Sequence, residues 1–440
     1  MNFQSSVEYL YSLGNEVSAM KLGLENIRKL LDVLGNPQKN YLKVQVAGTN
    51  GKGSVCAFLD SICNHTGIRT GLYTSPHLVS ITERIKINGN EISQEEFARL
   101  ATRIRDTSED LVTSGELENV PTFFEQLTAI ALLAFAEANV ELAILETGLG
   151  GRLDATTAAN AEIAAITQID LDHQEYLGNT IAEIAAEKAA IIHYKSKVVV
   201  SEQRPEAIKV ILERCVKFGI RPSLARYVDA GPDSTGFEFK TTSEYYGEVR
   251  LGLIGKHQMS NATVAILLAE MLKQYFEIST ADIINGLETA THKGRLEWWD
   301  FGVQRILFDG AHNVAGAIAL KNYIETYCPN AKITLVFGLM ADKNFDEMAK
   351  VIFPLAENIV LTRPGNIRSA DPETLLEKVN EFVEKDRLFV IEDVWQAIDA
   401  AIQLTTTYTV TKISFTCVTG SLYLVGDVQR RLQAGGLHPQ

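Results

Sequence analysis

The feature that most constrains this fold is a strand, a glycine-rich loop and a helix that follow one another within residues 43–66, KVQVAGTNGKGSVCAFLDSICNHT. The β-branched residues predict a buried strand, and the loop GTNGKGS at residues 48–54 leads directly into the helix. This order aims backbone N–H groups and a helix N-terminus at one point, which suits a phosphate. Lys52 adds a positive charge, although Gly53 stands where the common phosphate loop has Ser or Thr. A loop that only joins strand to helix is the alternative, and glycines combined with Lys and Ser favour the phosphate site.

Strand and helix patterns alternate over residues 20–200. Apolar strands are predicted at residues 43–47, 141–145, 162–168 and 197–201, and helices near residues 52–66, 122–138 and 180–192. Near-continuous apolar strands separated by helices are typical of a parallel sheet covered on both faces. Ligands of such sheets bind at the carboxyl ends of the strands. Polar residues that follow these strands are therefore the candidate site.

The pattern changes to alternation between residues 226 and 255, which predicts a small antiparallel β hairpin. A helix at residues 261–276 then leads to a second α/β series, with strands predicted at residues 305–308, 332–337, 358–361, 388–391 and 413–418. A chain of 440 residues exceeds one ordinary core, so two domains are expected. The predicted class is α/β: a parallel-sheet P-loop domain with the hairpin over residues 1–295, and a smaller Rossmann-like α/β domain over residues 296–440.

Composition excludes several classes of protein. The longest apolar run, residues 127–136, is far shorter than the roughly 20 residues that cross a bilayer, and the start MNFQSSVEYL lacks a signal pattern. The cysteines form no CxxC pair, which favours reduced core residues in a cytoplasmic protein over a zinc site or a disulfide framework. A net charge of −14 disfavours nucleic acid and anionic membranes as partners. A cytoplasmic monomer is expected.

Polar side chains follow two further predicted strands. Glu146 comes directly after the second strand, and Asp170, Asp172 and His173 follow the third. Because parallel strands end at one edge of a sheet, we expect these side chains near the phosphate loop. Carboxylate oxygens suit Mg²⁺, which usually keeps phosphate and water as further ligands. The alternatives are an exposed loop acid for Glu146 and a structural histidine for His173.

A lysine stands among alanines in the segment IAEIAAEKAAIIH, residues 181–193. Small apolar neighbours would favour the neutral amine of a buried Lys188, and a neutral amine can react. A lysine that extends into solvent from an alanine-rich helix fits the same segment. The residues alone do not separate these two interpretations.

A family resemblance is carried by nine motifs in one order along the chain. The motifs are GTNGKGS (48–54), TSPHL (74–78), ETGLGGRLDAT (146–156), LDHQEYLG (171–178), EKAAII (187–192), GKHQMSNA (255–262), DGAHN (309–313), GLMADKN (338–344) and TGSLYL (419–424). Together they resemble folylpolyglutamate synthase and dihydrofolate synthase, which share the class of ATP-dependent amide ligases with the Mur enzymes of cell-wall synthesis. The resemblance implies a Mur ligase central-type ATPase domain at residues 1–295 and a ligase α/β domain at residues 296–440.

The resemblance also implies which residues bind ATP. The ATP-binding set would be Gly48, Thr49, Asn50, Gly51, Lys52, Gly53, Ser54, Asn261, Arg295, Asp309 and His312. Within this set, Lys52 would contact the β- and γ-phosphates and Asn261 the base. Arg295 and Asp309, joined by His312, would reach ATP from the domain junction and the second domain.

Metal and substrate sites are implied in the same way. Ser75, Glu146, His173 and Lys188 would hold two Mg²⁺ ions, with Lys188 carrying CO₂ as a carbamate; Lys52, Lys188 and His173 would be the catalytic residues. The residues lining the pterin-bearing substrate would be Thr122, Phe123, Phe124, Glu125, Leu153, Asp154 and Ala155. Lys21 stands where bifunctional members often carry Asp near the pterin.

The reaction implied by the resemblance joins L-glutamate to a folate, and to dihydropteroate, through an acyl phosphate, with release of ADP and phosphate. Domain closure over ATP would exclude water. Two alternatives remain. A Mur-type cell-wall ligase is weakened by an N-terminal region of some 40 residues, too small for a sugar-nucleotide domain. A nucleotide switch would need neither the EKAAII lysine nor the second domain.

Overall fold

The computed structural model describes residues 1–14, 23–226, 236–301, 304–379, 383–406 and 414–435. Lys21, the start of the predicted hairpin region and the first residue of the strand predicted at 413–418 lie outside these residues. The chain folds as two compact units. The first unit comprises Met1–Pro76, Ile81–Gly252 and Gln258–Thr291, and the second comprises His77–Ser80, Leu253–His257 and His292–Gln440. The boundary between residues 295 and 296 stays a prediction.

The first unit holds the larger sheet. Its helices are α1 (Phe3–Ser12), α2 (Glu25–Val33), α3 (Lys52–His65), α4 (Gln94–Thr113), α5 (Phe123–Glu137), α6 (Gln174–Leu177), α7 (Ile181–Ala189), α8 (Pro205–Lys217), α9 (Gln258–Leu272) and α10 (Thr280–Thr289), with 3-10 helices at Pro37–Lys39, Ile81–Arg84 and Ala155–Ala159. Its strands are β1 (Leu42–Ala47), β2 (Thr70–Tyr73), β3 (Ile85–Ile87), β4 (Asn90–Glu91), β5 (Leu142–Glu146), β6 (Ile163–Ile166), β7 (Lys197–Val200), β8 (Ser223–Leu224), β9 (Phe237–Lys240) and β10 (Tyr245–Val249).

Eight strands form this sheet, in the order β4-β3-β2-β5-β1-β6-β7-β8. The strands from β2 to β8 in this order are parallel, whereas β3 and β4 pair antiparallel at one edge. In register, Val46 lies opposite Glu146 and Ala47 opposite Ile166. The carboxyl ends of β2, β5, β1 and β6 are therefore neighbours, and ligands of open parallel sheets bind at such ends. Strands β9 and β10 form the separate antiparallel hairpin.

The helices pack on the sheet through buried apolar side chains. Along α5, every residue from Phe123 to Phe135 is buried, and the helix packs in one apolar cluster with α2 and α4. The N-terminus of α5 is closed by a capping box in which the Thr122 hydroxyl accepts the Glu125 N–H and the Glu125 carboxylate accepts the Thr122 N–H. This cap fixes where α5 begins, beside the carboxyl ends of the strands.

The second unit carries a smaller sheet. Its helices are α11 (Val314–Tyr327), α12 (Phe345–Ile352), α13 (Pro372–Val379), α14 (Val394–Thr406) and α15 (Leu422–Ala434), with 3-10 helices at Phe353–Leu355 and Lys385–Arg387. Its strands are β11 (Glu297–Phe301), β12 (Gln304–Phe308), β13 (Lys332–Phe337), β14 (Asn358–Leu361), β15 (Leu388–Val390) and β16 (Ser414–Thr419). The order is β11-β12-β16-β13-β14-β15, parallel except for the antiparallel pair β11–β12. The predicted α/β class with two sheets is confirmed.

Several elements have no counterpart in the sequence prediction, among them β2 to β4, helix α4 and strand β11. Strand β11 contains Trp299, which is buried, packs on Phe308 with ring centroids 5.2 Å apart and donates its indole N–H to Glu297. Within the part of the chain that the structure describes, no helix is both long enough and apolar enough to cross a lipid bilayer.

Candidate functional site

The glycine-rich loop joins β1 to α3 as predicted, and its backbone leaves a helix N-terminus open. Gly51 has a left-handed φ of 87° and precedes α3 without any side-chain cap. The first backbone N–H groups of a helix have no acceptor within it, and they carry the positive end of the helix dipole. The N–H groups of Lys52, Gly53 and Ser54 are thus available to an anion at the carboxyl end of β1.

The start of the loop is held by the end of the neighbouring strand. The carbonyl oxygen of Gln168 accepts the N–H groups of Thr49 (2.9 Å) and Asn50 (3.2 Å), so these two donors are engaged within the protein. A Cβ on Gly48 would collide with the Thr167 side chain, which explains the glycine at that position. Thr167 and Gln168 belong to no motif, and only their place at the end of a predicted strand could have indicated this role. Strand β6 ends at Ile166, and the next two residues, Thr167 and Gln168, contact the glycine-rich loop.

Two lysines meet at one oxygen of this loop. The Lys188 ammonium donates to the carbonyl oxygen of Gly48 at 2.8 Å, and the Lys52 ammonium donates to the same oxygen at 3.2 Å. Lys52 also donates to the Thr49 carbonyl at 3.3 Å. Lys188 lies near the C-terminal end of α7 and is only 4% exposed, so it does not extend into solvent. Of the two interpretations of Lys188, the structure favours the buried one.

Glu146 and Ser75 lie together at the ends of adjacent strands. Glu146 is the last residue of β5 and is buried, and its carboxylate accepts the backbone N–H of Ser75 at 3.2 Å. Ser75 follows β2, the neighbour of β5 in the sheet. Glu146 is therefore not the exposed loop acid of the alternative interpretation.

His173 lies in the turn that follows β6. It has a left-handed φ of 50° and immediately precedes the short helix α6. Its Nε2 lies 3.8 Å from a carboxylate oxygen of Asp172, which is buried. Asp170 is engaged elsewhere, with Arg204 at 3.1 Å. Backbone in this rarely populated region is often found at functional sites.

An oxygen-preferring metal fits these donors. Among the described residues, no three His, Cys, Asp or Glu side chains are grouped as a metal cage. The edge of the sheet instead offers a buried carboxylate on Glu146, the serine next to it and the loop that suits phosphate. Mg²⁺ is usually bound by one or two carboxylates together with water and substrate phosphates. The donor set fits Mg²⁺ better than zinc, which prefers Cys and His.

Helix α9 closes one side of the loop through Asn261. A Cβ on Gly51 would collide with the amide oxygen of Asn261. The Asn261 amide donates to Gln258 at 2.8 Å, and the Gln258 amide donates to the Ser54 hydroxyl at 3.3 Å. The structure therefore brings Asn261 against the glycine-rich loop, and its role in a nucleotide site stays a prediction.

The two stretches predicted to line the pterin lie beside each other. There is no room for a side chain on Gly148, because a Cβ would lie 2.6 Å from the Phe124 ring. The Asp154 carboxylate accepts the N–H of Leu149 at 2.9 Å and closes the loop that carries Gly148. Burial raises the pKa of both the Asp154 and the Glu125 carboxyl groups. These carboxylates bind backbone N–H groups and so hold the shape of the two stretches.

Arg295, predicted at the domain junction, lies in the second unit and forms a cluster there with Asp309 and His312. The buried Asp309 carboxylate accepts the N–H groups of Leu296 and Ala311, both at 3.0 Å. Burial raises the pKa of the Asp309 carboxyl, and the nearby Arg295 guanidinium opposes this rise. Arg295 and His312 share an acceptor, the Gly310 carbonyl oxygen, at 3.3 and 2.8 Å. Arg295, Asp309 and His312 thus converge at the carboxyl end of β12.

Comparisons with known families first establish the class. The Mur ligase middle domain matches residues 46–269, and the Mur ligase, glutamate ligase domain matches residues 294–413. The first match contains the phosphate loop, and the second contains most of the second unit. A phosphate-loop domain followed by this α/β domain defines the Mur ligase class.

Three individual proteins then narrow the assignment. The dihydrofolate synthase/folylpolyglutamate synthase of Bacillus subtilis is 34% identical over 94% of this chain and 96% of its own length. A folylpolyglutamate synthase of Mycobacterium tuberculosis, solved with ADP, superposes with a TM-score of 0.89 at 30% identity, covering 100% of this chain and 99% of that one. A bifunctional enzyme of Yersinia pestis, solved with AMPPNP and a Mn ion, gives a TM-score of 0.82 at 26% identity over 98% of both chains.

The chain belongs to the folylpolyglutamate synthase/dihydrofolate synthase family of Mur ligases. It is an ATP-dependent ligase, and the resemblance read from the nine motifs is confirmed. These relatives favour the folate branch over a cell-wall ligase and over a nucleotide switch.

Proposed function

We propose that this chain uses ATP to join the amine of L-glutamate to a carboxylate of a folate, and of dihydropteroate, as its relatives' names indicate. One observation carries the proposal most directly. Lys52 and Lys188 converge on the Gly48 carbonyl oxygen, at the sheet edge where Glu146 and Ser75 also meet. A nucleotide switch needs the phosphate loop but has no use for a buried Lys188 beside it.

The phosphates of ATP are proposed to bind the N-terminus of α3. Gly48, Thr49, Asn50, Gly51, Lys52, Gly53 and Ser54 form the loop. The backbone N–H groups at the start of α3 and the Lys52 ammonium would neutralise charge on the transferred phosphoryl group. Asn261, which lies against Gly51, is placed by the proposal beside the base. Arg295, Asp309 and His312 are proposed to contact ATP from the second unit.

Magnesium is the proposed metal, held by Ser75, Glu146, His173 and a carbamylated Lys188. In the carbamate, the neutral Lys188 amine bonds to the carbon of CO₂ and releases one proton. Starting from the ammonium form, two protons leave in all, so a cation becomes an oxygen-bearing anion. The carbamate nitrogen keeps one hydrogen, which can still be donated to the Gly48 carbonyl oxygen. Two Mg²⁺ ions would stabilise charge on the phosphates during transfer. The two-ion count and the carbamate are proposals that rest on the resemblance and on the burial of Lys188.

The folate or dihydropteroate is proposed to bind along Thr122, Phe123, Phe124 and Glu125 and along Leu153, Asp154 and Ala155. Apolar rings and small side chains suit the flat pterin and aminobenzoate, and the two buried carboxyl groups keep the backbone in place. Since Lys21 stands at a position that often carries Asp in bifunctional relatives, the use of dihydropteroate needs its own test.

The chemistry proceeds in two steps. The substrate carboxylate attacks the γ-phosphorus of ATP, the bond to the β–γ bridging oxygen breaks, and ADP leaves from an acyl phosphate. The neutral α-amine of L-glutamate then attacks the acyl carbon, the amide forms, and phosphate leaves with the carboxylate oxygen while the amine loses a proton. Phosphorylation is needed because oxide is a very poor leaving group. Positioning and electrostatic stabilisation supply most of the catalysis of such transfers.

The proposal also places the enzyme in the cytoplasm as a monomer that binds neither nucleic acid nor membranes. Its support is the net charge of −14 and the cysteines, all of which are free thiols in the structure. The two domains are proposed to span residues 1–295 and 296–440.

The test is ADP release measured with dihydropteroate and with a reduced folate monoglutamate, each with and without L-glutamate. The expected result is turnover that requires both a pteroate or folate and L-glutamate, with a product that is one glutamate heavier. Lys52→Ala should lose this activity, whereas Lys39→Ala, which removes an exposed lysine, should retain it. ATP turnover without either substrate would contradict the proposal.

A further inference from the structure

Arg152 makes two contacts with the C-terminal end of α7, the helix that carries Lys188. Its backbone N–H donates to the Glu187 carbonyl oxygen at 2.9 Å, and its Nε donates to the Glu187 carboxylate at 2.9 Å. Two contacts to one residue fix both the backbone and the side chain of Glu187. Lys188 is the next residue in the chain, so these two contacts also constrain the position of Lys188.

The backbone contact supplies a hydrogen-bond donor to a carbonyl group at the end of helix α7. Helix α7 ends at Ala189, and the last carbonyl groups of a helix have no N–H partner within it. The backbone N–H of Arg152 supplies the partner for Glu187. A carboxylate so near a helix C-terminus is unfavourable by the helix dipole, and the Arg152 guanidinium offsets this charge. Arg152 therefore has two roles at the end of α7: its backbone N–H bonds to the Glu187 carbonyl oxygen, and its guanidinium compensates the charge of the Glu187 carboxylate.

Gly151 makes the close approach possible. A Cβ at this position would lie 2.8 Å from the Glu187 carbonyl oxygen and 2.9 Å from that of Lys188. Gly151 does not have a positive φ, so the reason for the glycine is space and not backbone conformation. The loop thus packs directly on the backbone of Lys188.

The same short segment begins with the other buried metal-ligand candidate. Glu146 ends β5, and the loop from Glu146 to Arg152 is only seven residues long. Thr147 anchors its start by donating its N–H to Val46 at 3.0 Å, and the Thr157 hydroxyl holds its far end by donating to Gly151 at 2.7 Å. The segment from Glu146 to Arg152 is therefore held by hydrogen bonds near both of its ends. It connects Glu146 to the end of the helix that carries Lys188.

We propose that Arg152, with Gly151, is a positioning residue that fixes the distance between Glu146 and Lys188, two of the four proposed metal ligands. Its side chain donates to the Glu187 carboxylate, so it would act through Glu187. This inference rests on the proposed function, because the ligand roles of Glu146 and Lys188 are part of that proposal. Residues that orient metal ligands typically change metal affinity about 10- to 100-fold when they are mutated.

The test is the calorimetric dissociation constant of Mg²⁺ for the full chain with saturating ADP and bicarbonate. Arg152→Ala should weaken Mg²⁺ binding about tenfold, the low end of that range, because its backbone contact to Glu187 survives. Glu187→Gln should weaken it similarly, and the double variant should be no worse than either single one, since both remove one interaction. Arg152→Lys should restore part of the affinity. Gly151→Ala should weaken binding as well, by displacing the end of α7.

Two controls separate positioning from general damage. Arg69→Ala removes an arginine of similar exposure, 56% against 58% for Arg152, from a surface pair with Glu141 at the opposite end of the strands. It should leave Mg²⁺ affinity unchanged. ADP affinity without metal should be unchanged in Arg152→Ala, since the phosphate loop is not altered; a loss there would indicate a merely structural role and overturn the proposal.

The outcomes also separate this inference from the proposed function. Wild-type protein that binds no Mg²⁺ with ADP would overturn both. Wild-type binding with an unchanged dissociation constant in Arg152→Ala would overturn the positioning role alone.

Discussion

Lys52 and Lys188 donate to the same acceptor, the carbonyl oxygen of Gly48, at 3.2 and 2.8 Å. Two ammonium groups that share one acceptor would repel each other. A carbamate on Lys188 would replace that repulsion with attraction to Lys52 and to a divalent metal. This relationship links the phosphate loop to the proposed metal site.

The first prediction concerns Lys188. Lys188→Ala should reduce ligation by about 10²-fold or more, because the transferred phosphoryl group would lose electrostatic stabilisation of the kind whose single donors are worth that much. The protein should remain folded, since an alanine suits the alanine-rich helix. The measurement is amide formation together with a ¹³C carbamate signal after incubation of wild-type protein with ¹³C-bicarbonate. Lys209→Ala, an exposed lysine on α8, is the matched control. Full activity of Lys188→Ala would refute the carbamate role.

The second prediction uses two glycines with positive φ. Gly51 (φ 87°) lies against Asn261, whereas Gly67 (φ 77°) has nothing within 4 Å of an added Cβ. Gly51→Ala and Gly67→Ala should each lose about 1 kcal/mol of stability from the left-handed backbone. Only Gly51→Ala should also raise the KM for ATP, because its Cβ displaces Asn261. Equal ATP kinetics in the two variants would show that Asn261 has no role in nucleotide binding.

The third prediction tests the pterin side of the site with two phenylalanines of α5. Phe124 lies at the loop glycine Gly148, whereas Phe135 packs in the interior against Tyr41, with ring centroids 6.2 Å apart. Phe124→Leu and Phe135→Leu should both cost about 1 kcal/mol in unfolding free energy. Steady-state kinetics should show a higher KM for folate in Phe124→Leu alone. A similar change in Phe135→Leu would assign the effect to general destabilisation.

The fourth prediction is a pH dependence of stability from Asp309. Because burial raises the pKa of its carboxyl, the folded state binds more protons than the unfolded state between the ordinary aspartate pKa and the raised one. The stability contributed by this group is present below that window and is lost as pH rises through it. Asp309→Asn cannot ionise, so the unfolding free energy of the variant minus that of the wild type should rise across the window and then level off.

Urea unfolding at a series of pH values measures this difference. The matched control is Asp300→Asn, which removes an exposed carboxylate paired with Arg305 at 2.7 Å. A difference for Asp309→Asn that is flat, or that falls with rising pH, would contradict a raised pKa.

Much of the fold follows from local sequence. Strand β1, the loop and α3 are visible because β-branched residues, glycines and a helical pattern occur in one run. Edge strands such as β3 and β4 are short and half exposed, and they lack the apolar run that marks a central strand. Strand β11 pairs antiparallel with β12, and Phe301 lies opposite Gln304, so this is a local hairpin that the sequence analysis missed.

The parts of the candidate site that consist of side chains can be predicted from residue types. The parts that consist of backbone atoms are harder to predict. Glu146 and Lys188 can be found from their residue types and their neighbours. The Gly48 and Gln168 carbonyl oxygens, which organise the loop, have no residue-type signal. Helix α7 ends at Ala189 instead of continuing to residue 192 as predicted, and the backbone of Arg152 caps the Glu187 carbonyl there.

The most direct test of the central claim follows oxygen from the substrate. With ¹⁸O in the carboxylate of the folate or dihydropteroate, the account predicts that one ¹⁸O atom appears in the phosphate released for each amide formed, because the carboxylate oxygen leaves on phosphorus. Mass spectrometry of the phosphate measures this transfer. Amide formation with unlabelled phosphate, or ATP hydrolysis without transfer of label, would contradict the account.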